Sequence, residues 1–166
     1  MFSSPSTPPK TPKLIGIAAD HAGFALKNFL VGHLRDAGYE VIDFGDRQPS
    51  PGDDYPDYVI PLAHAVAGGA VDRGVSICGS GVGATIASNK VAGVRACLIQ
   101  DAFSARQGVE DDDLNVICLG GLTITRDHAW ECLKIFLTAR FNPVERHCRR
   151  LAKIAALETS QLNEKI

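Results

Sequence analysis

Five short apolar runs punctuate the chain: Leu14–Ala19, Glu40–Phe44, Gly74–Cys78, Arg95–Ile99 and Val116–Leu119. Several are apolar at consecutive positions, the pattern of strands covered on both faces of a parallel sheet. Between them the apolar residues recur at helical spacing. In Ala22–Ala37, Phe24, Leu26, Leu30 and Leu34 fall mostly at helical steps, and Gly38 ends the run. The same reading predicts helices over Asp57–Ala70, Gly83–Val91, Ala102–Asp111 and Asp127–Arg140. A last helix is expected from about Pro143, because proline suits a first helical turn.

Strand and helix thus alternate along the whole chain, with one extra helix at the C-terminal end. That order predicts an α/β fold, a three-layer αβα sandwich around a parallel sheet. Ligands of such sheets bind outside the carboxyl ends of the strands. The residues there are Asp20-His21, Gly45-Asp46, Gly79 to Gly83, Gln100-Asp101 and Gly120-Gly121. The Pro/Gly/Asp-rich stretch from Gln48 to Pro56 reads as a long loop with Tyr55 as a lid or wall. Residues 14–158 are expected to form a single domain. Residues 1–13, with Pro5, Pro8, Pro9 and Pro12 among Ser and Thr, read as a disordered leader, and 159–166 as a C-terminal tail.

Composition narrows the function. The chain has 166 residues, 45% of them hydrophobic and 22% charged, enough for one substantial core. A formal net charge of -2 gives no reason to expect nucleic acid or an anionic membrane as partner. No apolar run approaches the roughly 20 residues that cross a bilayer. The five cysteines (Cys78, Cys97, Cys118, Cys132 and Cys148) are odd in number, lack a CxxC pair and mostly sit in apolar runs. That pattern predicts a reduced cytoplasmic protein without disulfides or a zinc site.

Three constellations can carry chemistry. In Ile77-Cys78-Gly79-Ser80-Gly81-Val82-Gly83 an apolar strand enters a glycine-rich turn and then a helix. Its backbone N–H groups can converge on an anion or a developing oxyanion, and that environment favours a thiolate at Cys78. The plainer reading is a cysteine buried in a strand. Gly79-x-Gly81-x-x-Ala84 with Asp101 about 20 residues on also fits a dinucleotide fingerprint, although that motif normally opens the first strand-helix-strand unit. Asp20-His21 can hold hydroxyls and a phosphate, or Asp20 can cap the following helix. Arg146 and Arg150 lie one helical turn apart and can fork a phosphate, or form a solvated basic face.

Together the segments Asp20-His21-Ala22-Gly23-Phe24, Asp54-Tyr55-Pro56, Cys78 to Gly83 with Ser88-Asn89-Lys90, and Arg146-His147-x-x-Arg150 resemble one group. It is the family of type B ribose-5-phosphate isomerases and galactose-6-phosphate isomerase subunits, and the resemblance runs from Leu14 to about Leu157. It implies a Rossmann-like fold with five parallel strands and a homodimer (or tetramer) whose active sites draw on both subunits. It implies aldose–ketose isomerisation of a sugar phosphate through an enediolate, without metal or cofactor. By the same resemblance Cys78 is the base, and Gly79, Ser80, Gly81, Val82 and Gly83 form the oxyanion site, with Ser80 relaying protons. Asp20 binds hydroxyls, Tyr55 lines the site, and His21, Arg146 and Arg150 hold phosphate. Where some members carry a glutamate base, this chain has Ala84.

Three positions depart from the family pattern. A His-Asn-x-x-Asn segment supplies a ring-opening histidine and an oxyanion-site asparagine. Here it reads Asp111-Asp112-Asp113-Leu114-Asn115, so carboxylates take both slots. Leu122 stands where many members place a phosphate-binding arginine. These changes lead to two expectations. Either Asp111 performs the ring opening, or the preferred substrate is another sugar phosphate, such as a hexose phosphate or a tetrose phosphate that needs none. A relative that binds sugar phosphate without turning it over is the remaining alternative.

Overall fold

The computed structural model describes residues 11–163, with side chains described to residue 159. The expectations for residues 1–10 and 164–166 lie outside the described residues. Five parallel strands form one sheet: β1 (Leu14–Ala19), β2 (Glu40–Asp43), β3 (Arg73–Cys78), β4 (Ala96–Leu98) and β5 (Val116–Gly120), in the order β2-β1-β3-β5-β4. Burial follows sheet position. Every residue of β5, and all but the first of β1 and β3, is buried, whereas the edge strands β2 and β4 contain no buried residue. Consecutive apolar positions therefore mark the three central strands, as expected for strands with both faces covered.

Six helices complete the layers: α1 (Phe24–Asp36), α2 (Pro56–Ala67), α3 (Val82–Ser88), α4 (Ala102–Asp112), α5 (Arg126–Thr138) and α6 (Glu145–Asn163). One core joins Leu26, Leu30 and Leu34 of α1 and Leu133, Phe136 and Leu137 of α5 to Ile15, Ile17, Val75, Ile77 and Ile117 of the sheet. The second core, on the other face, packs Val59, Leu62 and Val66 of α2 and Ala84 of α3 against Ala18, Cys78, Val116 and Cys118. Full burial of a leucine or isoleucine contributes about 1.5–3 kcal/mol, so these two faces hold the layers together. Among the described residues no helix is long and apolar enough to cross a membrane.

The helices differ from the expected ranges mainly at their ends, for local reasons. The helix expected from Ala22 starts at Phe24, because Asp20 Oδ1 accepts the Gly23 N–H at 3.0 Å and shapes a turn first. The expected Gly83–Val91 helix is instead Val82–Ser88, followed by Asn89, whose side chain accepts the Ala96 N–H at 2.9 Å and donates to its carbonyl at 2.8 Å. At the C-terminus of α5, the Arg73 guanidinium donates to the Phe136 and Ala139 carbonyls. Burial pulls that guanidinium's pKa down to about 10, with Arg140 nearby adding to the effect.

Candidate active site

Between β1 and β3 the chain's direction of travel across the sheet reverses, which opens a crevice at their carboxyl ends. Cys78 is the last residue of β3, and its side chain is buried. The turn after it folds back so that the Gly81 N–H donates to Cys78 Sγ at 3.2 Å. Gly81 adopts φ +80, the left-handed region that glycine enters without cost. A Cβ there would also come within 2.6 Å of Leu98 Cδ1, so the turn is closed to larger residues. Ser80 is exposed at the tip, with its Oγ accepting the Val82 N–H at 3.3 Å. A second turn clamps the first. Gly121 N–H donates to the Cys78 carbonyl at 2.8 Å and Leu122 N–H to the Gly79 carbonyl at 3.0 Å.

Tyr55, directly before α2, forms one wall, because its ring lies over Gly83. Leu122 forms another part of the rim, 77% exposed, with its Cδ1 near Gly79. Asp20 is buried at the strand's end and uses Oδ1 in the turn to Gly23, so it shapes the turn before α1, whose N-cap is Gly23, and does not itself cap the helix. His21 is partly exposed and stands beside Asp53 of the loop before α2. Asp53 Oδ1 lies 2.5 Å from His21 Nδ1 and also accepts the His21 backbone N–H at 3.1 Å. The hydrogen bond to Asp53 raises the histidine's pKa against the opposing effect of burial, and the charges of Asp53 and Asp20 add to the rise. Burial pushes the Asp53 carboxyl up, yet the hydrogen bonds from the His21 ring and backbone leave it below its ordinary value. The only sign in the sequence was a pair of acids before Tyr55. Asp20, His21 and Asp53 are also the one group among the described residues with donor atoms spaced for a metal ion, all within 4.8 Å of one another.

The remaining expected site residues lie elsewhere in the chain. Helix α4 starts at the carboxyl edge of the sheet and runs back, so Asp111 and Asp112 end up at the amino edge, about 15–20 Å away by strand length. There the Asn142 N–H donates to the Glu110 carbonyl at 2.9 Å, which brings the start of α6 beside them. Asp111 Oδ2 accepts from Gln107 Nε2 at 3.1 Å, and Oδ1 lies 3.4 Å from Nε2 of the buried His147. His147 Nδ1 bonds the Asn142 carbonyl at 2.9 Å, which puts the ring proton on that nitrogen. Its Nε2 then accepts the Arg146 Nε–H at 3.0 Å. Arg146 and Arg150 are both exposed. Asp112 lines a separate cleft of about 560 Å³ between β4, α4 and α6, together with Cys97, Ile154 and Leu157. The expected site residues therefore fall into two groups at opposite edges of the sheet: Asp20, His21, Tyr55 and Cys78 to Gly83 at one, and Asp111, Asp112, Arg146 and Arg150 at the other.

Residues 15–154 match the model of the ribose/galactose isomerase family. The chain belongs to that family. It is 41% identical over 146 residues to ribose-5-phosphate isomerase B of Escherichia coli, covering 88% of this chain and 97% of that one. The structure of ribose-5-phosphate isomerase B from Clostridium thermocellum superposes with a TM-score of 0.86 at 40% identity, over 89% of this chain and 99% of that one. A relative with another substrate is D-erythrulose-4-phosphate isomerase of Pectobacterium atrosepticum, 36% identical over 127 residues, 76% of this chain and 84% of that one. By this membership the chain is an isomerase, with the five-stranded Rossmann-like fold of its relatives. The dinucleotide alternative is set aside.

Proposed function

We propose that the chain interconverts an aldose phosphate and a ketose phosphate of the ribose 5-phosphate/ribulose 5-phosphate type, with Cys78 as the base. The observation that carries this reading is the Gly81 N–H on Cys78 Sγ at 3.2 Å inside a rigid glycine turn. That bond fixes the sulfur at the strand's end, and the adjacent turn amides can receive charge developing on substrate oxygen. Helix α3 has only seven residues, so the turn's own amides rather than a long helix supply that field.

The thiolate removes the proton from C2 of the open-chain aldose, and the electron pair moves through the C1 carbonyl to give an enediolate. Ser80 Oγ passes the proton of the C2 hydroxyl to O1, and the thiol returns its proton to C1. The ketose results with every atom and electron accounted for. Removing a proton beside a carbonyl is accelerated by such donors, and no redox partner or metal is called for in the sequence of steps. Asp20 holds substrate hydroxyls, Tyr55 walls the site and His21 takes the phosphate.

The reading needs a second copy of the chain. Arg146 and Arg150 for phosphate, Asp111 for ring opening and Asp112 for substrate oxygens all lie at the opposite edge of the sheet from their own chain's Cys78. A homodimer that sets one chain's amino edge against its partner's carboxyl edge completes two sites at once. The unpaired edge strand β4 and the exposed apolar residues Val82, Ile86 and Phe103 support such pairing. Five free thiols support a reducing cytoplasmic setting.

A second reading keeps the same chemistry on a tetrose phosphate. Leu122 on the rim, where it brings no charge to a phosphate, and Asp111 in place of a ring-opening histidine favour it. The test is an isomerase assay of wild type and Cys78→Ala on C4, C5 and C6 aldose and ketose phosphates, with EDTA present. Activity on one sugar, lost by about 10²–10⁴-fold in the variant and unaffected by EDTA, is expected. No turnover of any of them, with sugar phosphate still bound, would show a binding protein instead.

A further inference from the structure

The loop before α2 places Asp53 behind His21, and a single carboxylate oxygen receives both the ring and the backbone of that histidine, at 2.5 and 3.1 Å. Two contacts to one oxygen fix the imidazole's position and its rotation together. With Nδ1 engaged, Nε2 has no partner among the described residues, and the ring is 41% exposed at the carboxyl edge. Asp53 itself is only 8% exposed, so its charge reaches solvent poorly and acts mainly through His21.

We propose that Asp53 is a positioning residue that holds His21 as an imidazolium, with Nε2–H turned outward to receive the phosphate of the substrate. The proposal rests on the reading of His21 as a phosphate ligand. It also explains how this rim works with Leu122 in place of a cation, since the positive charge on this edge then comes from His21. The titratable groups facing His21 are Asp53 and, on its own turn, Asp20, with Tyr58 of α2 behind Asp53. The direction of the histidine's shift agrees, because both carboxylates favour the charged ring.

Asp53→Asn keeps an acceptor of the same shape and removes the charge. The measurements are KM for the sugar phosphate and the inhibition constant of inorganic phosphate, at about pH 6 and about pH 8, on either side of the ordinary histidine value. The wild type, Asp53→Asn and His21→Gln are compared, and the ring of His21 is titrated by nuclear magnetic resonance. The expected result is about a tenfold rise in both constants for Asp53→Asn at the higher pH. The rise should be smaller at the lower pH, the loss should fall on KM more than on kcat, and His21 should titrate at a lower pH.

Unchanged constants in Asp53→Asn at both pH values would overturn the proposal, and so would an unmoved His21 titration. If the titration moves but His21→Gln binds phosphate like the wild type, the phosphate reading of His21 has failed, and the proposal fails with it for an identifiable reason. Activation of the wild type by a divalent cation, absent in Asp53→Asn, would mark Asp20, His21 and Asp53 as a cation site and also overturn it.

Discussion

The ring of Tyr55 lies over Gly83 so closely that a Cβ at residue 83 would stand 2.6 Å from Tyr55 Cζ. The contact joins the long loop before α2 to the turn that follows Cys78, so the wall and the base of the site are built against each other. Neither can shift without the other.

Gly83→Ala therefore forces either the ring or the turn to move. Overpacking of this kind costs about 1–3 kcal/mol of stability, and a displacement of about 1 Å at a reacting centre can cost about 10²-fold in rate. The expected outcome is a folded protein with a modestly lower Tm and a large loss in kcat/KM. Tyr55→Ala in the Gly83→Ala background should restore the lost stability but not the activity. Thermal unfolding and steady-state kinetics on the three variants check this, and a fully active Gly83→Ala would show that the contact is slack.

The proposed site shared between two copies predicts complementation between subunits. On that reading Cys78→Ala should be inactive through one edge and Arg146→Ala/Arg150→Ala through the other. Mixed after dissociation and reassociation, the two should form heterodimers in which one site carries both mutations and the other carries neither. Random pairing should then recover roughly a quarter of wild-type activity. Each parent dimer alone should stay inactive, and a mixture no more active than its parents would rule out a site shared in this way.

Asp111 separates the two substrate readings. Its Oδ2 is tied to Gln107 and its Oδ1 faces His147, and ring opening is its proposed role. If it opens the sugar ring, Asp111→Asn should reduce turnover of ribose 5-phosphate by about 10²-fold and leave erythrose 4-phosphate, which closes no five-membered ring, near the wild-type rate. Preference of the wild type for the tetrose, with no effect of Asp111→Asn on either sugar, would select the tetrose reading. Rates on both substrates for both proteins decide it.

Lys27 tests the support of the carboxyl edge. Its ammonium is buried, 2.5 Å from Asp43 Oδ2 and 3.0 Å from the Asp46 carbonyl, just where β2 leads into the loop that carries Asp53 and Tyr55. Only Lys27 of the pair is buried, so removing the charge of the more exposed Asp43 strands a buried ammonium, at about 3 kcal/mol. Asp43→Asn should therefore destabilise more than Lys27→Met, which removes the buried charge and keeps the apolar stem. Urea unfolding of the two variants measures the difference, and the reverse order would show that the pair is not what holds this corner.

Much of the fold was legible because it rests on local chemistry. Consecutive apolar residues in β1, β3 and β5 report burial on both faces, and the glycines after Cys78 report a turn that other residues cannot make. The alternation of these elements then leaves few topologies. The ends of the helices were less legible, since competing hydrogen bonds such as Asp20 to Gly23 and Asn89 to Ala96 decide them. Asp53 was missed for a similar reason, because a carboxylate in a Pro/Gly/Asp-rich loop gives no periodicity and acquires its role only beside His21.

The sequence alone determined the family, the order of strands and helices, and the kinds of group present: a thiol at a strand end, a glycine turn, a histidine and paired arginines. Those follow from residue type and spacing, which are properties of the chain taken a few residues at a time. Only the tertiary structure decided which of these groups share a site. Helices α4 and α5, antiparallel to their strands, bring Asp111 and the start of α6 with Arg146 and Arg150 to the far edge of the sheet, while residues 20, 53 and 78, distant in sequence, converge at the near one. That sorting depends on chain direction through a packed sheet, and no local pattern records it.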